Sequence, residues 1–359
     1  MQALQFNAKL SPHENLRLIK TAVPQISGPT DVLIKVAFAG LCGTDLHILE
    51  GKFKNCSDKF VTIGHEFSGV VEEIGAQVQG LNRGDKVGVD PNRPCQSCKF
   101  CRRGQVNHCQ NGGTRDAVGI FRDGGMAGFC LVPVDQVHLL PSSLSLEQGV
   151  LCEPLSCLLH GWKRLESALG GILPGARVLI TGAGIVGNLW VSMFHYHGYR
   201  NITLSEPKEG RREIVKGLDT GCTVLTPVEL GAQEDGVDDE QDGFNIIVEC
   251  SGYPPALQEA ISMSGRKAVV VIFGCAPTGS PMNLYPEEVF RKELTIVGCL
   301  VNPNTYSEAL SLAANMGDRY LNFDKLGVKV FKLTEYEKAL SSLKAGEISK
   351  AVFHLTSSI

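Results

Sequence analysis

The chain has 359 residues, of which 43% are hydrophobic and 20% charged, enough for two or three domains that each bury a core. The 34 basic and 38 acidic side chains give a net charge of −4, which excludes a strongly basic nucleic-acid-binding protein. The longest apolar run, at 268–275, is far shorter than the roughly 18 residues that a transmembrane helix needs. We therefore expect no nucleic-acid partner and no membrane span.

Cysteine usage points to metal or catalytic chemistry. The sequence contains 13 cysteines, and its first residues lack the basic segment and apolar core of a secretory signal. An odd cysteine count without an export signal argues against a disulfide scaffold. A cytoplasmic location is expected.

The first 150 residues predict β structure. Residues 32–39 form a strand-like run, and glycines recur every few residues at positions 64, 69, 75, 80, 84 and 88. This spacing is typical of tightly turned, bulged strands and breaks any helix.

A thiol, a hydroxyl and an imidazole stand close together at 42–47, and a second imidazole and a carboxylate follow about 20 residues later. A catalytic zinc takes three protein ligands and keeps one position open, and Cys42, His65 and Glu66 offer three such donors. Glu153 is a further carboxylate at the junction between the two halves. Taken singly, each residue has an ordinary structural explanation as core filler, a buried imidazole or an ion-paired carboxylate.

Four cysteines lie within 15 residues in the pattern C-x2-C-x2-C-x7-C, at Cys95, Cys98, Cys101 and Cys109. Four thiolates close a tetrahedral zinc site that has no open position, so this metal is expected to hold a loop together. A ferredoxin run continues with x3 and a proline, whereas x7 and Gln110 follow here. Paired disulfides conflict with the expected compartment.

After residue 160 apolar segments alternate with helix-length segments. Strands are predicted at 177–181, 201–205, 244–249, 267–273 and 294–297, and helices at 186–197, 209–218 and 255–263. This alternation predicts right-handed βαβ units and a buried parallel sheet. The acidic stretch 233–242 predicts a solvated loop.

Residues 182–187 fit G-x-G-x-x-G, with an apolar strand before them and a helix-length segment after them. Such glycines permit a tight turn, close approach to a pyrophosphate and close helix–strand packing, with the helix N-terminus facing the anion. The alternative is a glycine turn that binds no nucleotide. Glu206 lies 19 positions after Gly187 and favours NAD, because a carboxylate there repels a 2′-phosphate. Lys208 and Arg211 keep NADP open as an alternative.

These motifs together resemble the zinc-containing medium-chain dehydrogenase/reductases, in their polyol (sorbitol/arabinitol-like) and threonine dehydrogenase branch. The resemblance extends over essentially the whole chain. It implies an α/β fold with a GroES-like catalytic domain holding both zinc sites at 1–155, a doubly wound Rossmann domain at 156–297, and a segment at 298–359 that returns to the first domain. It also implies a homodimer or homotetramer with catalytic zinc, structural zinc and NAD (NADP possible).

The resemblance also implies residue roles. Cys42 and His65 become catalytic zinc ligands, Glu66 a ligand directly or after a shift of the metal, and Glu153 a ligand of zinc or of its water. Thr44 contacts the substrate alcohol, and His47 passes the proton outwards. The implied cofactor contacts are Gly182, Gly184, Val186, Gly187, Glu206, Arg211, Phe273, Gly274, Cys275, Leu300, Val301 and Asn302.

One departure bears on the substrate. Val301 and Asn302 replace an Arg-Tyr pair that helps animal sorbitol dehydrogenases hold polyol hydroxyls, and the segment is more similar to arabinitol-type enzymes. The resemblance thus implies hydride transfer from a polyol secondary alcohol to give a ketose. Alternative enzymes are a threonine 3-dehydrogenase and a secondary-alcohol dehydrogenase. An NADPH-dependent quinone or enone reductase is a further alternative, against which the cysteine lobe argues. A recruited lens or storage protein is the non-enzymatic alternative, and it predicts decayed metal ligands.

Overall fold

The computed structural model describes residues 1–11, 14–51, 59–171, 173–232 and 243–355. The acidic stretch predicted as a loop, 233–242, lies outside the described residues. Among the helices described, none is long and apolar enough to cross a membrane.

Strands and helices are numbered separately in chain order. The strands are β1 (Gln2–Phe6), β2 (Leu16–Lys20), β3 (Asp31–Leu41), β4 (Val61–Thr62), β5 (Glu66–Ile74), β6 (Lys86–Val89), β7 (Phe129–Pro133), β8 (Val137–Leu139), β9 (Val178–Thr181), β10 (Ile202–Ser205), β11 (Thr223–Leu225), β12 (Phe244–Glu249), β13 (Ser264–Ile272), β14 (Thr295–Gly298), β15 (Val328–Lys332) and β16 (Lys350–His354). The helices are α1 (Gly43–Leu49), α2 (Leu146–Gly149), α3 (Cys152–Leu169), α4 (Ile185–Tyr196), α5 (Glu209–Lys216), α6 (Pro227–Gly231), α7 (Pro254–Ser262), α8 (Pro286–Lys292), α9 (Tyr306–Leu321), α10 (Phe323–Leu326) and α11 (Tyr336–Ala345).

A seven-stranded sheet of mixed direction organises the N-terminal half. Its order is β15-β16-β3-β5-β6-β8, with β7 also paired to β3, and β2-β1-β4 form a smaller antiparallel sheet. The long strand β3 confirms and extends the strand predicted at 32–39. The last strand, β16, pairs antiparallel with β3, so the end of the described chain returns to the first sheet.

The second half contains a parallel sheet in the order β11-β10-β9-β12-β13-β14. This is the doubly wound order in which the chain leaves the first strand in one direction and later returns to its other side. All five predicted strands and three predicted helices of this region form, with ends shifted by a few residues at most. The α/β fold class is confirmed.

Other elements were not predicted, among them α3, β11, α9 and the pair β15 and β16. Helix α3 is 18 residues long and packs against α4 and α9, and its apolar face joins the main core with Leu155, Leu158, Trp162 and Leu165. Because this core also includes residues of the parallel sheet, α3 connects the two halves of the molecule.

Candidate functional site

The carboxyl ends of the parallel strands form one edge. Thr181, the last residue of β9, is in register with Ser205 of β10 and Glu249 of β12, and Glu249 with Ile272 of β13. The predicted cofactor residues follow directly after β9, β10, β13 and β14. Ligands of doubly wound folds bind in the crevice outside this edge, at the point where the strand order reverses.

The three glycines of the turn after β9 differ in their surroundings. Gly182 has a φ of +94°, in the region that favours glycine. A Cβ on Gly187 would lie 1.9 Å from the carbonyl oxygen of Gly182, whereas one on Gly184 would meet nothing within 4 Å. The turn is therefore tight at its start, open to an approaching group at its middle and closely packed where α4 begins. Val186 lies half-buried in the first turn of α4 and packs against the main core.

Glu206 lies beside this turn, directly after β10. Its Oε2 accepts a hydrogen bond from the backbone N–H of Ala183 at 2.9 Å, and its Oε1 accepts one from that of Lys208 at 2.9 Å. Arg211 Nη1 is 3.8 Å from Oε2. The carboxylate is thus held next to the glycine turn by two amides and a partly buried guanidinium.

A carboxylate that sequence analysis missed orders the other side of the edge. The Oε1 atom of Glu249 accepts hydrogen bonds from the backbone N–H groups of Ser251 and Gly252 at 2.6 and 2.8 Å. Its backbone carbonyl accepts from Phe273 and Gly274 at 3.0 and 2.7 Å. The signal was a single acidic residue at the end of an otherwise apolar strand. Cys275, next along this turn, is exposed.

The segment after β14 lies against the four-cysteine lobe. The Leu300 carbonyl accepts a hydrogen bond from Asn107 Nδ2 at 3.2 Å, and Leu300 itself is exposed. Val301 has a φ of +45°, and the side chain of Asn302 is buried in hydrogen bonds to Asp90 and Asn92.

Three predicted metal ligands come together in the first half of the chain. Cys42 caps the N-terminus of α1, and His65 and Glu66 stand where β5 begins. One ligand atom of each, the thiol sulfur, an imidazole nitrogen and a carboxylate oxygen, lies within 4.8 Å of the others. His65 and Glu66 are buried and Cys42 is half-buried.

Asp45 orients this cluster and was not among the predicted site residues. Its Oδ2 accepts a hydrogen bond from the Cys42 backbone N–H at 2.8 Å, and its Oδ1 is 3.5 Å from His65 Nδ1. Burial lowers the pKa of His65, but the charges of Asp45 and Cys42 outweigh it and raise that pKa well above the ordinary value. A carboxylate on the second ring nitrogen is the usual way in which a ligand histidine is held in place.

A buried ion pair backs the cluster. Lys350 is fully buried, and its Nζ donates to Glu66 Oε2 in a short contact and to the Leu41 carbonyl at 3.5 Å. Strand β3 lies between β16 and β5, which carry Lys350 and Glu66, and a Cβ on Gly40 would lie 2.5 Å from Glu66 Oε2 and 2.7 Å from Lys350 Cε. Glycine at position 40 thus makes room for the pair. The sequence signal for this ion pair was a lysine at the start of the otherwise mostly apolar strand β16.

Glu153 lies in the first turn of α3 and is buried. Burial is the main cause that raises its pKa to about 7; His65 lowers this pKa, whereas Glu66 and Asp90 raise it. These influences place Glu153 near the cluster, although its carboxylate is not within the 4.8 Å set. Its Oε1 accepts a weak hydrogen bond from Cys157 Sγ at 3.6 Å.

Thr44 and His47 are carried by α1, directly after the ligand Cys42. They are three positions apart, the spacing of neighbours on one side of a helix, and both are half-buried. The segment that follows β14 contacts the helix of Glu153, since Cys299 Sγ donates to the Cys157 carbonyl of α3 at 3.8 Å.

The four cysteines of the lobe form a second group, with sulfur atoms within 4.8 Å of one another. The Cys95 sulfur accepts a hydrogen bond from the Cys98 backbone N–H, and Cys109 accepts one from the Cys95 N–H at 3.2 Å. Hydrogen bonds from Ser97, first from its backbone, lower the pKa of Cys95 to about 5. This favours the thiolate form that binds metal.

Both donor sets fit zinc. Four sulfurs are the donor set of a closed structural site, and one sulfur, one imidazole and one carboxylate are that of an open site. His65 Nδ1 and Asp45 Oδ1 are buried, neither has a hydrogen-bond partner in the described part of the chain, and they lie 3.5 Å apart. This fits a histidine whose ring is oriented by Asp45 while its other nitrogen faces a metal.

Comparison with known proteins agrees with this geometry. Residues 28–142 match the alcohol dehydrogenase GroES-like domain, and residues 186–315 match the zinc-binding dehydrogenases. L-Threonine 3-dehydrogenase of Pyrococcus horikoshii is 32% identical over 354 residues, which are 97% of each chain. D-Arabinitol dehydrogenase 1 of Uromyces fabae is 28% identical over 337 residues, 93% of this chain and 92% of that one.

Among solved structures, one described as a zinc-binding dehydrogenase of Sinorhizobium meliloti 1021 with NADP bound gives a TM-score of 0.85 at 30% identity and covers 99% of both chains. Together these matches confirm zinc and a nicotinamide nucleotide as the cofactors of this fold. The chain belongs to the zinc-binding medium-chain dehydrogenase/reductase family, and it is an oxidoreductase among relatives named threonine and polyol dehydrogenases.

Proposed function

We propose that the protein oxidises a secondary alcohol of a polyol to a ketose, reversibly, with a nicotinamide cofactor as hydride acceptor. The observation that carries the proposal is that one chain forms both the donor cluster of Cys42, His65 and Glu66 and the carboxyl edge of a doubly wound sheet with its glycine turn. An alcohol held at the cluster and a nicotinamide held at the edge would have to be neighbours for direct hydride transfer.

Zinc at this cluster would supply Lewis-acid activation of the alcohol and, in the reverse direction, of the ketone. Cys42 and His65 would hold it, with Glu66 as third ligand or as a carboxylate that Lys350 keeps to one side. Glu153 would bind the metal or its water. Thr44 would accept the alcohol proton at its hydroxyl oxygen and release its own hydroxyl proton to the relay.

His47 would pass that proton outwards from Thr44 along α1. We assign one role to each part of the chain. Residues 1–155 would provide both metal sites, and residues 156–297 would bind the nucleotide. Residues 298–359 return to the first sheet with β16, whose Lys350 pairs with Glu66. The four-cysteine lobe would bind the structural zinc.

NAD is the proposed cofactor. Glu206 presents its carboxylate at the glycine turn, where it would accept from the adenosine ribose hydroxyls and repel a 2′-phosphate. The two basic side chains that could hold that phosphate already have partners: Lys208 Nζ donates to the Lys344 carbonyl at 2.6 Å, and Arg211 lies 3.8 Å from Glu206 Oε2 and donates to the Leu343 carbonyl at 3.5 Å.

Oxidation of L-threonine at its hydroxyl is the second candidate, and the 32% identity to the Pyrococcus enzyme favours it. An amino-acid substrate needs a cation for its carboxylate. Lys350, the basic side chain in contact with the cluster, is fully buried and already paired with Glu66. We therefore place the polyol first.

The test is a panel of polyols, simple secondary alcohols and L-threonine, each with NAD and with NADP. We expect reduced cofactor to form with polyols and NAD. Cys42→Ala should abolish turnover, lower the zinc content from two ions to one per chain and leave NADH binding intact. The matched control is Cys130→Ala, which removes a buried thiol in β7 outside both clusters. Activity on threonine alone would overturn the polyol assignment.

A homodimer or homotetramer in the cytoplasm completes the proposal. Within the described residues β14 pairs with β13 alone and so leaves a sheet edge, and Tyr285 at the N-cap of α8 and Phe290 within α8, the helix that precedes β14, are exposed apolar side chains. Light scattering after size exclusion should report two or four chains, and fewer for Phe290→Glu. The described cysteines are all free thiols, as a reducing compartment requires.

A further inference from the structure

Four polar side chains join the segment after β14 to the lobe region, more than 190 residues earlier in the chain. The Asn302 amide donates to Asp90 Oδ1 at 3.1 Å, and its oxygen accepts from Asn92 Nδ2 at 2.8 Å. Asp90 Oδ1 also accepts from the Asn92 backbone N–H at 3.0 Å. Asn107, which lies between the third and fourth cysteine of the lobe, donates to the Leu300 carbonyl at 3.2 Å.

The residue between these two anchors is strained. Val301 has a φ of +45°, a region in which a β-branched side chain is a true outlier. Such a conformation costs about 1–2 kcal/mol and persists only where the surroundings enforce it. Here the surroundings are the hydrogen bond to the Leu300 carbonyl on one side and the buried amide of Asn302 on the other.

The segment is also tied to the helix that carries Glu153. Thr305 Oγ1 donates to the Ser156 carbonyl of α3 at 2.7 Å, and Cys299 Sγ to the Cys157 carbonyl at 3.8 Å. The 299–305 segment, called the wall below, therefore follows β14 at the carboxyl edge of the parallel sheet and is tied both to the lobe region and to the helix of Glu153, and its own hydrogen bonds hold it in a conformation that Val301 would not adopt alone.

We propose that Asp90, Asn92, Asn107 and Asn302 are positioning residues: they form a clasp that holds the 299–305 wall in the only conformation that accepts the cofactor and substrate. The proposal rests on the proposed dehydrogenase function. When the clasp breaks, the wall populates relaxed conformations, and apparent affinity falls in proportion to the competent fraction. The clasp thus acts on dissociation constants and KM, and far less on kcat.

The chemistry of the clasp allows an exchange of its two ends. In Asn302→Asp two carboxylates face each other. In Asp90→Asn the new amide oxygen still accepts from Asn92 N–H and from Asn302. In the double variant Asp90→Asn/Asn302→Asp, the amide at 90 donates to the carboxylate at 302, and the side chain of Asn92 still donates to position 302. Two of the three hydrogen bonds survive the exchange and the two facing carboxylates are removed, whereas the backbone N–H of Asn92, which shared Asp90 Oδ1 with Asn302, loses its acceptor.

The experiment measures the NADH dissociation constant, KM and kcat for the best alcohol, and Tm for these three variants. Asn302→Asp should weaken NADH binding by about tenfold or more, the size expected from losing a hydrogen bond to a charged group. Asp90→Asn should have a smaller effect, and the double variant should recover part of the affinity, because it removes the repulsion between two carboxylates and restores the hydrogen bond between positions 90 and 302. Asn322→Asp, at the N-terminal cap of α10, makes the same charge change far from the wall and should change nothing.

Hydrogen exchange of the cofactor-free protein provides a readout that needs no activity. Amides of 299–305 should exchange faster in Asn302→Asp and regain protection in the double variant. A wild type that binds neither NADH nor NADPH would refute the proposed function, while this exchange pattern would still test the clasp. A lower Tm with unchanged NADH affinity, or a double variant no better than Asn302→Asp in either readout, would overturn the clasp.

Discussion

At the scale of single residues, the buried pair of Lys350 and Glu66 is expected to have a large effect on the free energy of unfolding. Both side chains are almost completely shielded from water, and each compensates the charge of the other. Removing one partner of a buried pair is far more costly than removing both, because it leaves an uncompensated charge in a medium that solvates it poorly.

Lys350→Met should lower the free energy of unfolding of the chelator-treated protein by about 3–5 kcal/mol, measured by urea titration. Adding Glu66→Gln should restore most of the loss. Lys163→Met provides the control, since its pair with Glu308 is exposed to solvent and should be worth about 1 kcal/mol or less. Equal losses in both lysine variants would show that Lys350 does not carry a buried charge.

At the scale of the element, the first turn of α4 packs closely against the residues that follow β9. Gly187 lies against the backbone of Gly182, whereas Gly184 faces open space at the helix N-terminus. The amides of this twelve-residue helix point towards that space, where an anion is stabilised by the free N–H groups and the helix dipole.

Exchange of these two glycines for alanine should separate packing from binding. Gly187→Ala forces a methyl group into a backbone carbonyl and should lower Tm and the yield of folded protein, at a cost of about 1–3 kcal/mol or more. Gly184→Ala should keep a Tm close to wild type while NADH affinity falls, because its methyl group occupies the approach. Calorimetry of both variants checks this, and a strongly destabilised Gly184→Ala would contradict the open turn.

At the scale of the whole molecule, burial of titratable groups next to the cluster links stability to pH. The pKa of Glu153 is raised to about 7 and that of Asp90 to about 6, in both cases mainly by burial, and the pKa of His65 is raised by Asp45 and Cys42 against the effect of its burial. In the folded state each group holds its proton to a higher pH than in the unfolded chain. The contribution of these three groups to stability is therefore fully present at low pH and declines as pH rises.

In the metal-free protein the contribution of Glu153 alone to the free energy of unfolding should fall by about 3 kcal/mol between pH 5 and pH 8. Glu153→Gln should flatten the profile by about that amount, since glutamine resembles the protonated side chain. Urea unfolding at several pH values measures the slope, with Glu308→Gln as an exposed control. A slope that is unchanged in Glu153→Gln would mean that this carboxyl is ionised in the folded state.

A feature could be predicted from the sequence when the residues that form it lie close together along the chain. The strands β9, β10, β12, β13 and β14 were found because alternating apolar and helical segments are a local pattern. The four-cysteine lobe and the glycine turn were found because their members lie within a few residues of one another. Helix α3 was not predicted because a glutamate and a proline in its first turn interrupt the apolar pattern. Strand β11 was not predicted because three residues are too few to show an alternation of apolar and polar side chains.

The sequence by itself determined the fold class and predicted both sets of candidate metal donors and the glycine turn, since residue type and short spacing decide that chemistry. Only the tertiary structure decided that Lys350 neutralises Glu66 across 284 residues, that Asp45 supports His65, and that Asn302 is held by Asp90 across 212. Such contacts arise where distant strands and loops meet, and a local pattern does not record which distant side chain will arrive there. The donors can be read from the chain, whereas the groups that orient them depend on how it folds.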